Sequence, residues 1–230
     1  MLRDNLQEVE ERIAHACARA GRDRDEVLLI AVSKTKPVEM IEEIYQEGIR
    51  AFGENHPQEI REKFPLLPAD IQWHMIGHLQ TNKIKYVIDR TCMIHSVDSL
   101  HLAEAISKAA VKSDLVMPIL IEVNMAREAS KFGVLPEETE SLIRQIAPLP
   151  GIHIEGLMTI APYTDQPEEN RIYFREMKKL NVDIGAKNID NVCMRHLSMG
   201  MTGDYEVAIE EGATMIRVGT GIFGARSYAR

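Results

Sequence analysis

The chain has 230 residues, 45% of them hydrophobic and 27% charged, an ordinary globular composition that excludes a disordered chain and suffices for a sizeable core. Its formal net charge is −8 at pH 7, and no lysine- or arginine-rich run offsets it, so neither nucleic acid nor an anionic membrane is expected as a partner. The three cysteines, Cys17, Cys92 and Cys193, are odd in number and form no CxxC pair, which argues against a disulfide framework or a zinc site and fits a reducing, cytoplasmic setting.

From Leu2 onward, Leu6, Val9, Ile13, Ala16 and Ala20 recur at spacings of three and four. That is one face of an amphipathic helix, closed by Gly21. This acidic start is not a signal peptide, and no apolar run reaches membrane-spanning length. Residues 27–32 form a continuous apolar run, as in a parallel strand covered on both faces. Pro37 then opens a helix through residue 48, proline being well tolerated in a first helical turn. The same unit recurs: strand 50–53 and helix 57–63, strand 72–76 and helix 79–88, strand 92–97 and helix 99–110. Strand 117–123 is followed by a glycine-bearing loop (128–133) and helix 136–147, and strand 152–158 by a polar loop (162–165) and helix 167–180. A short strand 195–198, helix 202–211 and a last strand 213–218 complete the pattern.

Strict alternation of strand and helix implies a parallel sheet. Eight such units in this length predict an α/β fold closed as a single (β/α)8 TIM-type barrel, typically ~250 residues, with an extra N-terminal helix. No Pro/Gly/Ser-rich linker breaks the chain, so residues 1–230 are expected to form one domain. The GxGxxG fingerprint of an open doubly wound sheet is missing after the first strand.

In such barrels the working face is the C-terminal one, and the loops after strands seven and eight commonly hold phosphate. Here they carry Ser198-Met199-Gly200-Met201 and Gly219-Thr220-Gly221. A serine hydroxyl and glycine amides are the groups that a phosphate dianion needs, although a serine there also caps helices. Closure places strand one beside strand eight, so Lys34 arrives at the same face. Burial disfavours the charged form of such a lysine and improves it as a nucleophile toward a carbonyl; the commoner fate of a rim lysine is to snorkel. Lys36 is the other candidate, in the loop against Pro37. Arg217 interrupts an apolar strand and must find an acceptor, either a carboxylate or a ring nitrogen of a bound heterocycle. Phosphate cradle, lysine and arginine together describe pyridoxal 5′-phosphate. His74 and His78 lie four apart on a strand and turn, not a helix, so no metal site is expected there. The other histidines, His95 among them, read as hydrogen-bonded core or rim residues.

The motifs Ala31-Val32-Ser33-Lys34-Thr35-Lys36-Pro37, Phe52-Gly53-Glu54-Asn55, Trp73-His74-Met75-Ile76-Gly77-His78-Leu79-Gln80, Gly156-Leu157-Met158, Leu197-Ser198-Met199-Gly200-Met201 and Arg217-Val218-Gly219-Thr220 resemble, in order and along nearly the whole chain, the pyridoxal phosphate homeostasis protein family. The resemblance implies a barrel related to the N-terminal domain of alanine racemase, with the cofactor as a Schiff base on the lysine of the Val-Ser-Lys motif, Lys34. It further implies that Ser198, Gly219 and Thr220 hold the phosphate, that Arg217 faces the pyridine nitrogen, and that Asn55 and Met199 line the ring. His78 stands where some members carry proline and is given no role.

The same resemblance implies a carrier that buffers and delivers the cofactor, to recipient apo-enzymes met transiently, without an established catalytic activity and with no catalytic residue to name. Related racemases take a second acid–base group, a tyrosine, from a separate β domain that is not expected here, and racemisation needs two such groups. An arginine at the ring nitrogen weakens the electron sink. Lacking that β domain, the chain is expected to be a monomer. The alternatives are a racemase or decarboxylase of the alanine racemase fold type, and a barrel aldolase that uses Lys34 without a cofactor.

Overall fold

The computed structural model describes residues 1–224. Among them, eight parallel strands close into a barrel in chain order: β1 (Leu28–Val32), β2 (Ala51–Glu54), β3 (Gln72–Met75), β4 (Met93–Val97), β5 (Met117–Glu122), β6 (Ile152–Met158), β7 (Val192–Met201) and β8 (Met215–Val218). The helices are α1 (Leu2–Arg19), α2 (Val38–Gln46), α3 (Pro57–Lys63), α4 (Leu100–Lys112), α5 (Thr139–Ile146), α6 (Arg171–Gly185), α7 (Tyr205–Glu210) and α8 (Thr220–Phe223). The predicted barrel and its extra N-terminal helix are both present. No helix of the described residues is long and apolar enough to cross a membrane.

Seven of the strands are close to where the apolar runs placed them, but the element at 79–88, strand seven and the helix after it differ from expectation. Residues 79–88 form a 3-10 stretch, Thr81–Tyr86, rather than an α-helix. Leu79, Ile84, Val87 and Ile88 of that span are buried against the core, so the apolar anchors expected of a helix are kept while the backbone winds more tightly. Strand seven extends through Met201, three residues beyond the predicted end. Gly200 permits this, its φ of +90° being open to glycine at little cost. The following helix is correspondingly short, six residues from Tyr205. Gly156 meets a stricter demand: with φ +151°, an added Cβ would fall 1.9 Å from the carbonyl oxygen of His196 on β7. The strands touch there as only glycine allows.

Helix α1 buries Leu2, Leu6, Val9, Ile13 and Ala16 and packs on α7 and α8. Arg12 and Arg19 pair with Glu206, and Arg19 also with Glu210, along the edge of that contact. Such exposed pairs contribute little each, so the apolar stripe carries the docking.

Inside the barrel, side chains alternate along each strand and rise in layers. Ile30, Ala51, Met93, Leu120, Met158 and Met215 form an apolar floor. Two residues further along the same strands come Val32, Gly53, His95, Glu122, Ile160 and Arg217. Another step of two brings Lys34, Asn55 and Gly219 to the C-terminal mouth. The sequence thus changes from oil to polar groups as the interior rises toward the mouth.

Candidate functional site

Strands β1 and β8 lie side by side in parallel, Ile30 opposite Arg217 and Ala31 opposite Val218. Counting on by twos brings Lys34 and Gly219 to one cavity at the mouth, about 430 Å³ in volume. Asn55, Arg217 and Thr220 line it as well. Lys34 sits in the turn two residues past the end of β1. Lys36, the rival candidate, instead donates to the carbonyls of Phe223 and Gly224, at 3.0 and 3.2 Å, at the C-terminal end of α8. Cations are favoured there by the partial negative charge of a helix C-terminus.

Ser198 and Met199 do not line the cavity. Both are fully buried. Because β7 continues to Met201, Ser198 is a strand residue pointing into the barrel below the mouth, and Met199, the next residue, points out into the apolar layer under the helices. The hydroxyl that the segment after β7 brings to the cavity belongs to Thr202. It accepts long hydrogen bonds from the N–H groups of Gly219 (3.3 Å) and Gly221 (3.4 Å). Gly203 and Asp204 complete that side of the wall, and Asp204 is braced by Asn170 Nδ2 at 2.8 Å and by the N–H of Met201 at 2.7 Å. Placing the loop after strand seven at residues 198–201 hid Thr202; the Thr-Gly pair following the strand was the available signal.

Arg217 is 4% exposed and pairs with no carboxylate among the described residues. It donates through Nη1 to Ser198 Oγ and through Nη2 to the carbonyl of Thr159 at 2.8 Å. Burial brings its pKa down to about 10, leaving it charged at neutral pH. A guanidinium can only donate, so Ser198 Oγ accepts from Arg217 and keeps its own proton to give to His95 Nδ1 (2.9 Å). His95 then donates from Nε2 to His74 Nδ1 (2.9 Å), and His74 from Nε2 to Cys92 Sγ (3.4 Å). The Cys92 thiol, in a residue exposed at the end of the chain of bonds, donates to the carbonyl of Trp73 (3.3 Å). Each member donates once and accepts once, and each histidine is neutral, burial holding His74 down at about 4 and His95 well below its ordinary value.

A second cavity, about 470 Å³, adjoins the first and shares Asn55, Ile76 and Ile160 with it. Buried Glu122 faces this space, its carboxyl raised to about 7 by burial and by the nearby charge of Asp98. His78 lies on its rim, stacked on Phe132 at 3.8 Å.

Behind the barrel wall, Lys63 of α3 is 7% exposed. It donates to Glu54 Oε1 and Glu59 Oε2, each at 2.7 Å, and to the carbonyl of Ser33 at 2.9 Å. Ser33 Oγ donates to the same Glu54 oxygen at 2.7 Å. Burial raises the Glu54 carboxyl despite the lysine.

The cavity fits a phosphorylated pyridine carbaldehyde. It offers a lysine at one wall, a buried arginine with donor capacity beyond Ser198 and Thr159, and backbone N–H groups of Gly219 and Gly221 held only by long bonds to a hydroxyl. An added Cβ at Gly221 would meet Val218 at 3.0 Å and Thr202 at 3.3 Å, so glycine lets this turn pack closely against its neighbours.

A barrel of this kind, with its lysine after strand one and its anion cradle after strand eight, defines the class: residues 5–227 match the family model of the alanine racemase N-terminal domain. The "pyridoxal phosphate homeostasis protein" of Aquifex aeolicus is 46% identical over 226 residues, spanning 98% of each chain, and that of Pseudomonas aeruginosa 37% identical over 98% of this chain and 96% of its own. This chain belongs to the pyridoxal phosphate homeostasis protein family. Among solved structures it is similar to PipY of Synechococcus elongatus with pyridoxal phosphate bound, at a TM-score of 0.81 and 34% identity over 94% of this chain and all of that one. An alanine racemase from Clostridium difficile shares the fold at a TM-score of 0.74 and 18% identity, this chain spanning 57% of it.

Proposed function

We propose that this protein binds pyridoxal 5′-phosphate covalently through Lys34 and serves the cell's supply of that cofactor, holding and delivering it rather than turning over a substrate. The observation that carries the reading is the parallel register of β1 on β8, with Lys34, Arg217, Gly219 and Thr220 around one cavity. In this reading Gly219, Gly221, Thr202 and Thr220 hold the phosphate, Arg217 donates to the pyridine nitrogen, and Asn55 stands beside the ring. Ser198 acts behind Arg217, not on the phosphate. When bound, pyridoxal phosphate supplies an aldehyde for the lysine and an electron-withdrawing ring. Arg217, charged and fixed, would keep that ring nitrogen unprotonated and so restrain the electron sink. The open mouth leaves the cofactor within reach of a recipient apo-enzyme. The chain would work as one barrel domain, a monomer in the cytoplasm.

The test is a visible spectrum and a mass measurement after borohydride reduction. Protein loaded with the cofactor is expected to absorb in the visible and to carry the reduced cofactor on Lys34, and Lys34→Ala to lose both. A protein that stays colourless with added cofactor overturns the reading. Loss of optical purity of a single amino-acid enantiomer at ordinary enzyme rates would replace the carrier by a racemase.

A further inference from the structure

Lys34 occupies a turn whose two flanking residues are both fastened to α3. On one side, Ser33 gives its carbonyl to Lys63 Nζ (2.9 Å) and its hydroxyl proton to Glu54 Oε1 (2.7 Å). On the other, the backbone N–H of Thr35 donates to Glu59 Oε2 at 2.8 Å. The same Glu59 oxygen accepts from Lys63 at 2.7 Å, so one ion pair grips the chain before and after the lysine. Thr35 has φ +61°, a left-handed conformation that a β-branched residue adopts only under outside constraint. Lys36 ties the far end of the turn to α8. The pattern on α3 is local: Glu59 and Lys63 are four apart on one helical face, and Pro57 starts that helix three residues after Glu54.

We infer that Glu59 and Lys63 are positioning residues for the cofactor lysine, holding the turn 33–36 so that Lys34 is aimed into the cavity before the cofactor arrives. This rests on Lys34 being the cofactor lysine. A group held in advance loses less freedom when it bonds, and the cofactor leaves correspondingly more slowly. An ion pair present for stability alone would have no need to bond the backbone on both sides of one residue.

Glu59 is the residue to change, because its side chain is 19% exposed and lies at the edge of the cluster. Two quantities are measured: the rate at which loaded protein loses its visible absorption under dialysis, and the amide hydrogen exchange of Thr35 in protein never exposed to the cofactor. Glu59→Ala is expected to release the cofactor about tenfold faster, the factor that corresponds to one hydrogen bond of ordinary strength. It is also expected to speed Thr35 exchange about tenfold while β8 amides are unchanged. Glu59→Gln, whose amide oxygen can still accept from Thr35, is expected to restore most of both. Glu59→Asp, one methylene short of Thr35, is expected to behave like the alanine variant and serves if that variant folds poorly. Faster Thr35 exchange with unaltered release of cofactor would overturn the inference and leave a purely structural ion pair. Covalent cofactor retained in Lys34→Ala would instead overturn the assignment of the lysine, whatever the Glu59 variants do.

Discussion

Inside the barrel, Ser198, His95 and His74 are bonded in a chain whose members are all neutral. Behind the wall, between β2 and α3, Glu54, Glu59 and Lys63 are bonded as ions. Both groups are buried and both end at a residue of the cavity, the first at Arg217 and the second at the turn of Lys34. The difference follows from what each must satisfy. Arg217 brings one positive charge with several donors, and a neutral chain passes that demand down the barrel without a second charge in the core. The turn presents a carbonyl and an N–H on either side of one lysine, and a zwitterionic pair meets both with opposite ends. A neutral chain tolerates the loss of a link as the loss of a hydrogen bond. An ionic cluster that loses its cation keeps an uncompensated charge.

The largest effect is therefore expected at Lys63. Lys63→Met preserves length and apolar stem but leaves Glu54, fully buried, facing Glu59 without a cation. Removing one partner of a buried pair costs about 3–5 kcal/mol, read from urea unfolding at pH 8. Burial already raises the Glu54 carboxyl, so it takes up a proton as the pH falls and the charge disappears. The deficit should narrow toward pH 6. A constant deficit would show that packing, not charge, is what Lys63 contributes.

Acid should distinguish the neutral chain from its surroundings. His74 has a folded pKa of about 4, below its ordinary 6.5, so the unfolded chain takes up the proton first. Its contribution is present above pH 6.5 and is lost as the pH falls toward 4. Glu122 has the opposite sign. Its folded pKa of about 7 lies above the ordinary 4.5, so the folded state protonates first, and stability from this group grows as the pH falls from 7 to 4.5. Each shift corresponds to about 3 kcal/mol at full development, and the two oppose each other in the native protein. Glu122→Gln removes the compensating group. Relative to the native protein it should lose about 3 kcal/mol between pH 7 and pH 4.5, exposing the histidine loss. Parallel pH profiles for the two proteins would contradict a buried, proton-accepting Glu122.

Much of this was legible in the residues. The apolar runs marked the strands, their alternation with helices predicted the barrel, and barrel closure alone placed Lys34 near Gly219 and Thr220. What escaped did so for definite reasons. The run at 79–88 buries Leu79, Ile84, Val87 and Ile88 as a helix would, and periodicity alone does not separate a 3-10 stretch from an α-helix there. Strand seven outran its prediction because residues 198–201 were read as the loop after it, whereas the positive φ of Gly200 let the strand continue. That three-residue error exchanged Thr202 for Ser198 as the hydroxyl at the cavity and turned Met199 outward. The histidine chain spans β3, β4 and β7, so no local pattern announces it; His95 was recognisable as a hydrogen-bonded core residue but not as the support of Arg217. The Lys63 cluster was hidden likewise, since it joins Glu54 of one strand to two residues of the helix that follows.

Ser198→Ala has the smallest expected effect and bears on one of the two site assignments that the geometry moves. A serine on the phosphate would be missed by the cofactor and hardly by the fold. A serine inside the barrel has the reverse signature, because its loss strands Arg217 Nη1 and His95 Nδ1, both bonded to its hydroxyl. Leaving buried polar atoms unpaired costs about 1–3 kcal/mol, and the lower half of that range is expected because His95 can switch tautomer. The histidine then gains freedom to reverse its bond with His74, so imidazole nitrogen shifts should change at both residues in protein without cofactor. The slope of cofactor affinity against inorganic phosphate as competitor should stay the same, since the cradle at Gly219 and Gly221 is untouched. Weaker phosphate competition with unaltered histidine shifts would return Ser198 to the anion and break the chain as drawn.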